Sequence, residues 1–177
     1  MTVRLRRAVP DDAPKLEALH ARSWRASYAP YVPADALGAP LDSNMRARWS
    51  SWPADRLILL AEDSDSVLGF AAVVRADVPL LDNLHVDPDA RSNGIGARLL
   101  KMVASCLAEE GASTLRLVVI ADNARARRFY VRMGGQEGTA HDEALLGETV
   151  RMVPFDWSGD AFDALVADFD RQSRKDA

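Results

Sequence analysis

One cysteine, Cys106, is all the chain has, and no long apolar run accompanies it. A single thiol excludes an internal disulfide framework. The most apolar stretch, Leu57 to Ala61, is far too short to cross a bilayer. The opening segment, MTVRLRRAVPDDA, is charged and lacks the apolar core of a secretory signal. These absences predict a cytoplasmic protein with no membrane partner. Neither sign of charge is in large excess: 26 acidic and 22 basic residues give a net charge of −4, with a pI near 5.4. That balance argues against broad attachment to nucleic acid, so an anionic ligand has to meet a local site. Three chemical signatures are also missing. No Gly-Lys dipeptide marks a P-loop, no Gly-x-Ser-x-Gly marks a nucleophile elbow, and no His-Glu-x-x-His marks a zinc site.

What is present is the composition of a folded domain. The 177 residues are 48% hydrophobic and 27% charged, enough for one sizeable core. Val3 and Leu5 alternate with arginines in a short strand closed by Pro10, and Asp11 or Asp12 is placed to cap a helix running to Tyr28. A short helix near Ala34 to Leu37 and a helical pattern from Leu41 to Trp49 follow among prolines. Leu57–Ala61 and Val67–Val74 read as a hairpin about the polar turn that includes Asp63-Ser64-Asp65, and Leu80–Val86 reads as the next strand. A helix opens at Gly94-Ile95-Gly96 and stops before Gly111, with Cys106 on its apolar face as an inert core thiol. Thr114–Ala121 is a strand, Asp122 or Asn123 caps a helix ending at Gly134-Gly135, and Gln136–Asp142 and Glu148–Phe155 are the last two strands. A helix over Asp160–Arg171 closes the chain. This order predicts an α/β fold: a mixed, mostly antiparallel central sheet of about seven strands flanked by helices.

The chemistry is concentrated where a strand meets a helix. Leu80 to Leu100 runs strand, short turn, glycines, helix, and a helix start offers unpaired backbone N–H groups and the positive end of a dipole to an anion. Alone, Gly94-Ile95-Gly96 reads first as a tight turn, and Leu99 stands where a dinucleotide fingerprint needs its third glycine. The combination is more specific. Arg91-Ser92-Asn93-Gly94-Ile95-Gly96 resembles the Arg/Gln-x-x-Gly-x-Gly/Ala signature of the GCN5-related N-acetyltransferases (GNAT), and Asn123-Ala124-Arg125-Ala126-Arg127-Arg128-Phe129-Tyr130, followed by Gly134-Gly135, is similar to that family's second signature. The resemblance covers Val3 to Phe155, which suggests a GNAT acyl-CoA N-acyltransferase domain over 1–156 and a C-terminal helix and tail over 157–177.

The resemblance implies acetyl-coenzyme A as co-substrate, wedged in a V-shaped split between the Leu80–Val86 and Thr114–Ala121 strands. It implies that the pyrophosphate lies on the backbone of Arg91, Ser92, Asn93, Gly94, Ile95, Gly96 and Ala97. The pantetheine would add to the strand edge at Leu84 and Val86, and Asn123, Ala126 and Phe129 would flank it. Ser92 replaces a frequent glycine of the signature, a chemically mild change expected to leave phosphate binding intact. Tyr130 matches the general acid, since a phenol of pKa ~10 stays protonated at neutral pH and can protonate a departing thiolate. In the bland reading Tyr130 is a packed core aromatic. Many relatives have a Glu base at the position of Leu80. Asp82, two residues on and on the same face, is the substitute, unless it serves as a substrate-facing or turn-facing carboxylate. The Val86 N–H is the expected oxyanion donor, while His85 points to the other face unless a bulge re-aims it.

Trp24, Tyr28 and Tyr31, with Asn83, are candidate acceptor-binding residues, and core packing is the alternative for the two rings one helical turn apart. Arg125, Arg127 and Arg128 either meet the coenzyme's 3′-phosphate or form an exposed helix face. His141-Asp142-Glu143 alternate faces and make a poor metal set, so no metal is expected, and lining the acceptor pocket is their alternative role. The expected reaction is direct transfer of acetyl from acetyl-CoA to a primary amine of a small molecule in a ternary complex. A non-catalytic acyl-CoA-binding regulatory module, or an O-acyl or longer-chain acyltransferase, is the alternative. The C-terminal helix is a candidate contact for a homodimer.

Overall fold

Alternating and helical apolar patterns produce eight strands and five α-helices in a computed structural model that describes residues 3–52, 55–64, 66–145 and 148–173. Asp65 of the predicted polar turn and residues 174–177 of the predicted tail lie outside the described residues. The elements are β1 (Arg4–Arg7), α1 (Ala13–Tyr28), α2 (Ala39–Trp49), β2 (Arg56–Asp63), β3 (Ser66–Val74), β4 (Leu80–Val86), α3 (Ile95–Glu109), β5 (Thr114–Ile120), α4 (Ala124–Arg132), β6 (Gln136–Glu137), β7 (His141–Leu145), β8 (Glu148–Ser158) and α5 (Asp160–Ser173). The fold is mixed α/β, its strands mostly antiparallel. The chain divides into two compact units, residues 1–72 with 83–99, and residues 73–82 with 100–177. Among the described residues no helix is long and apolar enough to cross a membrane.

In the first unit the hydrogen-bonded order is β1-β2-β3-β4, and β1 pairs antiparallel with β2 from Arg4↔Glu62 to Arg7↔Leu59. Leu16, Leu19, Trp49, Ile58, Leu60, Phe70 and Ala72 close its core. Gly69 on β3 is needed for close approach. A Cβ there would stand 3.0 Å from the His85 carbonyl oxygen and 3.1 Å from Ile95 Cγ2, so the bare backbone lets the first turn of α3 seat on the strands. The expected cap of α1 is not formed. Asp12 ends a one-turn 3-10 helix, and its carboxylate instead accepts from Arg6 at 2.7 and 2.8 Å and from the Val9 N–H at 2.8 Å. Arg6 also donates to Glu62, so this carboxylate ties β1 to the helix entry. The Arg6 hydrogen bonds hold the Asp12 carboxyl below its usual range.

In the second unit β4 meets β5 in parallel at Leu80↔Arg116, β5 pairs antiparallel with β8, and the other edge of β8 takes β6 and β7. Leu115, Leu117, Phe155, Trp157, Phe162 and Leu165 are among its buried apolar side chains. The predicted strand Gln136–Asp142 is in fact two strands, which is why there are eight rather than seven. The cause is Pro154. Proline has no N–H to give to the ladder, and Gly138 donates to the Pro154 carbonyl at 2.9 Å where a Cβ would strike the proline ring at 2.9 Å. Four positions separate Glu137 from His141, while three separate their partners Phe155 and Met152, so one extra residue bulges out between β6 and β7.

Candidate functional site

Strand β4 alternates cleanly. Leu80, Asp82, Leu84 and Val86 share one face, on which Asp82 is exposed, and Leu81, Asn83 and His85 are buried on the other. Asp82 therefore lies on the face of Leu80, as the spacing predicts, and no bulge re-aims His85. Past Val86, the Asp87 N–H bonds to Leu68 O at 2.8 Å, and the Asp87 carboxylate caps a one-turn 3-10 helix through the Asp89 N–H at 3.0 Å.

The turn that follows is built for backbone donors. Ser92 and Gly94 both have positive φ, 69° and 75°, and a Cβ at Gly94 would meet nothing within 4 Å. Glycine is thus required at 94 for its conformation and not for space. Ser92 adopts the same left-handed region without that freedom, so its replacement of the signature glycine is conformationally costly rather than mild. Asn93 braces the turn from Nδ2 to Ala90 O at 3.3 Å. The Arg98 N–H reaches back to Gly94 O at 3.0 Å as the first bond of α3, and helix geometry leaves the N–H groups of Ile95, Gly96 and Ala97 without partners inside the helix. This donor set, at the positive end of a fifteen-residue helix, fits a diphosphate.

Helix α1 lines up against this segment through contacts that the sequence reading missed. Ser23 Oγ lies 3.0 Å from His85 Nδ1, Arg22 pairs with Asp87, and Arg91 donates to Ser27 Oγ at 2.8 Å. The signal was faint: His20, Ser23 and Ser27 recur at helical spacing on one side of α1. Trp49 donates to His20 Nδ1 at 3.2 Å, and the His20 and His85 rings sit 4.6 Å apart. Burial, then the neighbouring His85 and Arg48, push the His20 pKa far down, so the ring is neutral. With Nδ1 accepting, its proton belongs on Nε2, which is buried with no hydrogen-bond partner among the described residues.

Two of the predicted aromatics, Trp24 and Tyr28, meet ring to ring. Trp24 and Tyr28 stack with centroids 4.2 Å apart and 23° between planes, and Trp24 also packs on the buried trio Ala21, Leu41 and Met45. The packing contacts expected of these rings are present. The Tyr31 backbone N–H donates to Tyr28 O at 2.8 Å, and Asn83 lies buried on β4.

In the second unit, Asn123 Oδ1 accepts from the Ala126 N–H at 3.1 Å, which selects Asn123 over Asp122 as the cap of α4. Ala126 and Phe129 are half-buried. Tyr130 is buried, with Phe129, Phe155 and Trp157 within 5.0 to 6.0 Å between centroids. Arg127 departs from a freely exposed phosphate-seeking side chain, because it donates to Ala121 O at 2.9 Å and to Glu137 at 2.6 Å. Arg125 and Arg128 are exposed. On β7, His141 contacts Glu143 at 2.6 Å and Asp142 pairs with Arg151 at 3.1 Å. Among the described residues no group of three or more His, Cys, Asp or Glu is placed to hold a metal ion.

A sequence model of the Acetyltransferase (GNAT) family matches residues 16–135, a span that contains the Arg91–Ala97 turn and the Asn123-capped helix. The chain belongs to this GNAT family. An uncharacterised N-acetyltransferase of Mycobacterium tuberculosis H37Rv is 31% identical over 128 residues, covering 70% of this chain and 82% of that protein. Among solved structures, the PaiA N-acetyltransferase of Thermoplasma acidophilum in complex with coenzyme A aligns with a TM-score of 0.71 at 20% identity, covering 90% of this chain and all of that one. A GCN5-related N-acetyltransferase from Rhodopseudomonas palustris aligns with a TM-score of 0.73 at 22% identity, over 90% and 97% of the two chains. At such identities the structural likeness speaks for the GNAT fold.

Proposed function

We propose that this GNAT protein transfers an acetyl group from acetyl-coenzyme A to a primary amine of a small molecule, by direct attack with both substrates bound. The observation that carries the reading is the Arg91–Ala97 turn. Its left-handed residues at 92 and 94 and the first-turn amides of α3 make a diphosphate cradle inside the span matched by the family model. Coenzyme binding then needs no excess of positive charge, consistent with a net charge of −4. Leu84 and Val86 are the candidate strand edge for the pantetheine in the first unit, and Asn123, Ala126 and Phe129 are the candidate cofactor residues of the second.

Three of this chain's groups serve the chemistry. Asp82, exposed on its face of β4, accepts the proton an alkylammonium must lose before it can attack, directly or through water. The Val86 N–H donates to the oxygen on which negative charge develops, and a fixed amide needs little reorganisation to do so. Tyr130 gives its phenolic proton to the departing thiolate, held by Phe155 and Trp157 so that its ring has few orientations to lose. Trp24, Tyr28, Tyr31 and Asn83 shape the acceptor site. A lone buried thiol suits a reducing compartment, so the reading keeps the protein in the cytoplasm.

The test is calorimetry with coenzyme A followed by a thiol-release assay with acetyl-coenzyme A and a panel of amines. Binding together with amine-dependent thiol release supports the reading. Binding with silence across the panel favours the regulatory module, and absence of coenzyme binding rejects both.

A further inference from the structure

The diphosphate turn is fastened to the helix that carries the aromatic pair. Arg91 contributes its backbone to the turn, but its side chain leaves in another direction. Nη2 donates to Ser27 Oγ at 2.8 Å, and Nε reaches Val86 O at 3.4 Å. Ser27 directly precedes Tyr28, and Tyr28 stacks on Trp24 one turn back. Two further contacts run beside this one, Ser23 with His85 and Arg22 with Asp87. Residues 22, 23 and 27 of α1 therefore meet 87, 85 and 91, on the stretch of main chain that leaves β4 and enters the turn.

We propose that Arg91 is a positioning residue whose side chain couples the coenzyme turn to the acceptor wall on α1. This rests on the reading of the turn as a coenzyme site. The guanidinium is a planar fork of donors, so its two bonds fix the angle between Ser27 and the end of β4. The turn holds two left-handed residues, one of them a serine, and is the part of this seam with most to gain from a ligand. A diphosphate seated on the amides of 95–97 orders the turn, Arg91 passes that order to Ser27, and the Trp24–Tyr28 stack is held for the acceptor at lower entropic cost. Linkage makes the effect reciprocal: whatever factor coenzyme adds to acceptor affinity, acceptor adds to coenzyme affinity. Coenzyme thus prepares the acceptor site through the Arg91 side chain.

Backbone hydrogen exchange in the full-length protein, with coenzyme A as the probe, tests the coupling. In the unaltered protein, coenzyme A slows exchange at residues 22–28 of α1 by about tenfold, the size of one charge-assisted hydrogen bond made firm. Ser27→Ala removes the acceptor of the Arg91 bond without touching the cradle, so the α1 effect falls below about twofold while the calorimetric Kd changes by less than about threefold. Ser27→Thr keeps the hydroxyl and restores the protection. Equal protection of α1 in Ser27→Ala, or none in the unaltered protein that binds coenzyme A, overturns the coupling alone. Failure of the unaltered protein to bind coenzyme A at all overturns the coenzyme site and the coupling with it.

Discussion

The indole of Trp157 lies flat against Gly135, so close that a Cβ at 135 would stand 2.6 Å from Trp157 Cζ2, while the indole Nε1 donates to Met133 O at 2.9 Å. The two glycines after α4 thus have different reasons. Gly134 supplies the positive φ that ends the helix, and Gly135 supplies room for a fully buried ring. Gly135→Ala has to displace that ring or the helix end. We expect a loss of about 1–3 kcal/mol in urea unfolding, the cost of overpacking a tight core. An unchanged midpoint would contradict the contact.

Gly94 offers the opposite case. Nothing stands near its missing side chain, so Gly94→Ala tests conformation alone. Forcing alanine to φ 75° costs about 1–2 kcal/mol. The expected outcome is weaker coenzyme A binding by calorimetry with the fold retained by circular dichroism, and undiminished affinity would show that the left-handed turn is dispensable.

Tyr130→Phe keeps the packed ring and removes the proton. Turnover in the thiol-release assay should fall by at least about a hundredfold, within the range for losing a general acid, while the coenzyme A Kd stays put. Asp82→Asn should lower turnover by about tenfold or more and shift its rise to higher pH, because the amine must then lose its proton to solvent. A pH profile identical to that of the unaltered enzyme would remove Asp82 from the base role.

His20 predicts a pH dependence of stability. Its pKa in the folded protein is pushed far below the usual 6.5. As pH falls through 6.5 the unfolded chain takes up a proton that the folded chain refuses, so stability is intact above that value and declines below it, by about 1.4 kcal/mol at pH 5.5. His20→Asn keeps an acceptor for Trp49 and has no proton to gain. The difference between the two proteins' unfolding midpoints should therefore change with pH in this window. Parallel curves from pH 7 to 5 would refute the assignment.

Much of this could be read in advance where the controlling groups are near each other in the chain. Strand β4 spans Leu80–Val86 as its alternation predicts, Asn123 caps α4 because an N-cap acts over three residues, and the family signatures lie in two short runs. What escaped reading depends on distant partners. Asp12 looks like a helix cap until Arg6 and Glu62 are folded beside it, where its carboxylate is taken up by the guanidinium and by the Val9 N–H that precedes the helix. Ser23 and Ser27 look like ordinary helix-surface serines, for their partners His85 and Arg91 stand more than sixty residues away. The break between β6 and β7 was hidden for the same reason, since the responsible proline is in the facing strand.

That proline also decides parity along the β7–β8 hairpin. Residues directly opposite each other share a face, and a one-residue slip exchanges the faces. Had β6 run on unbroken, His141 would have faced Arg151 and pointed to the side of Phe155 and Trp157. The extra residue opposite Pro154 places His141 across from Met152 and Glu143 across from Val150, while Asp142 meets Arg151 on the reverse side. One imino acid in β8 thus sorts the charges of its neighbour into two opposed sets.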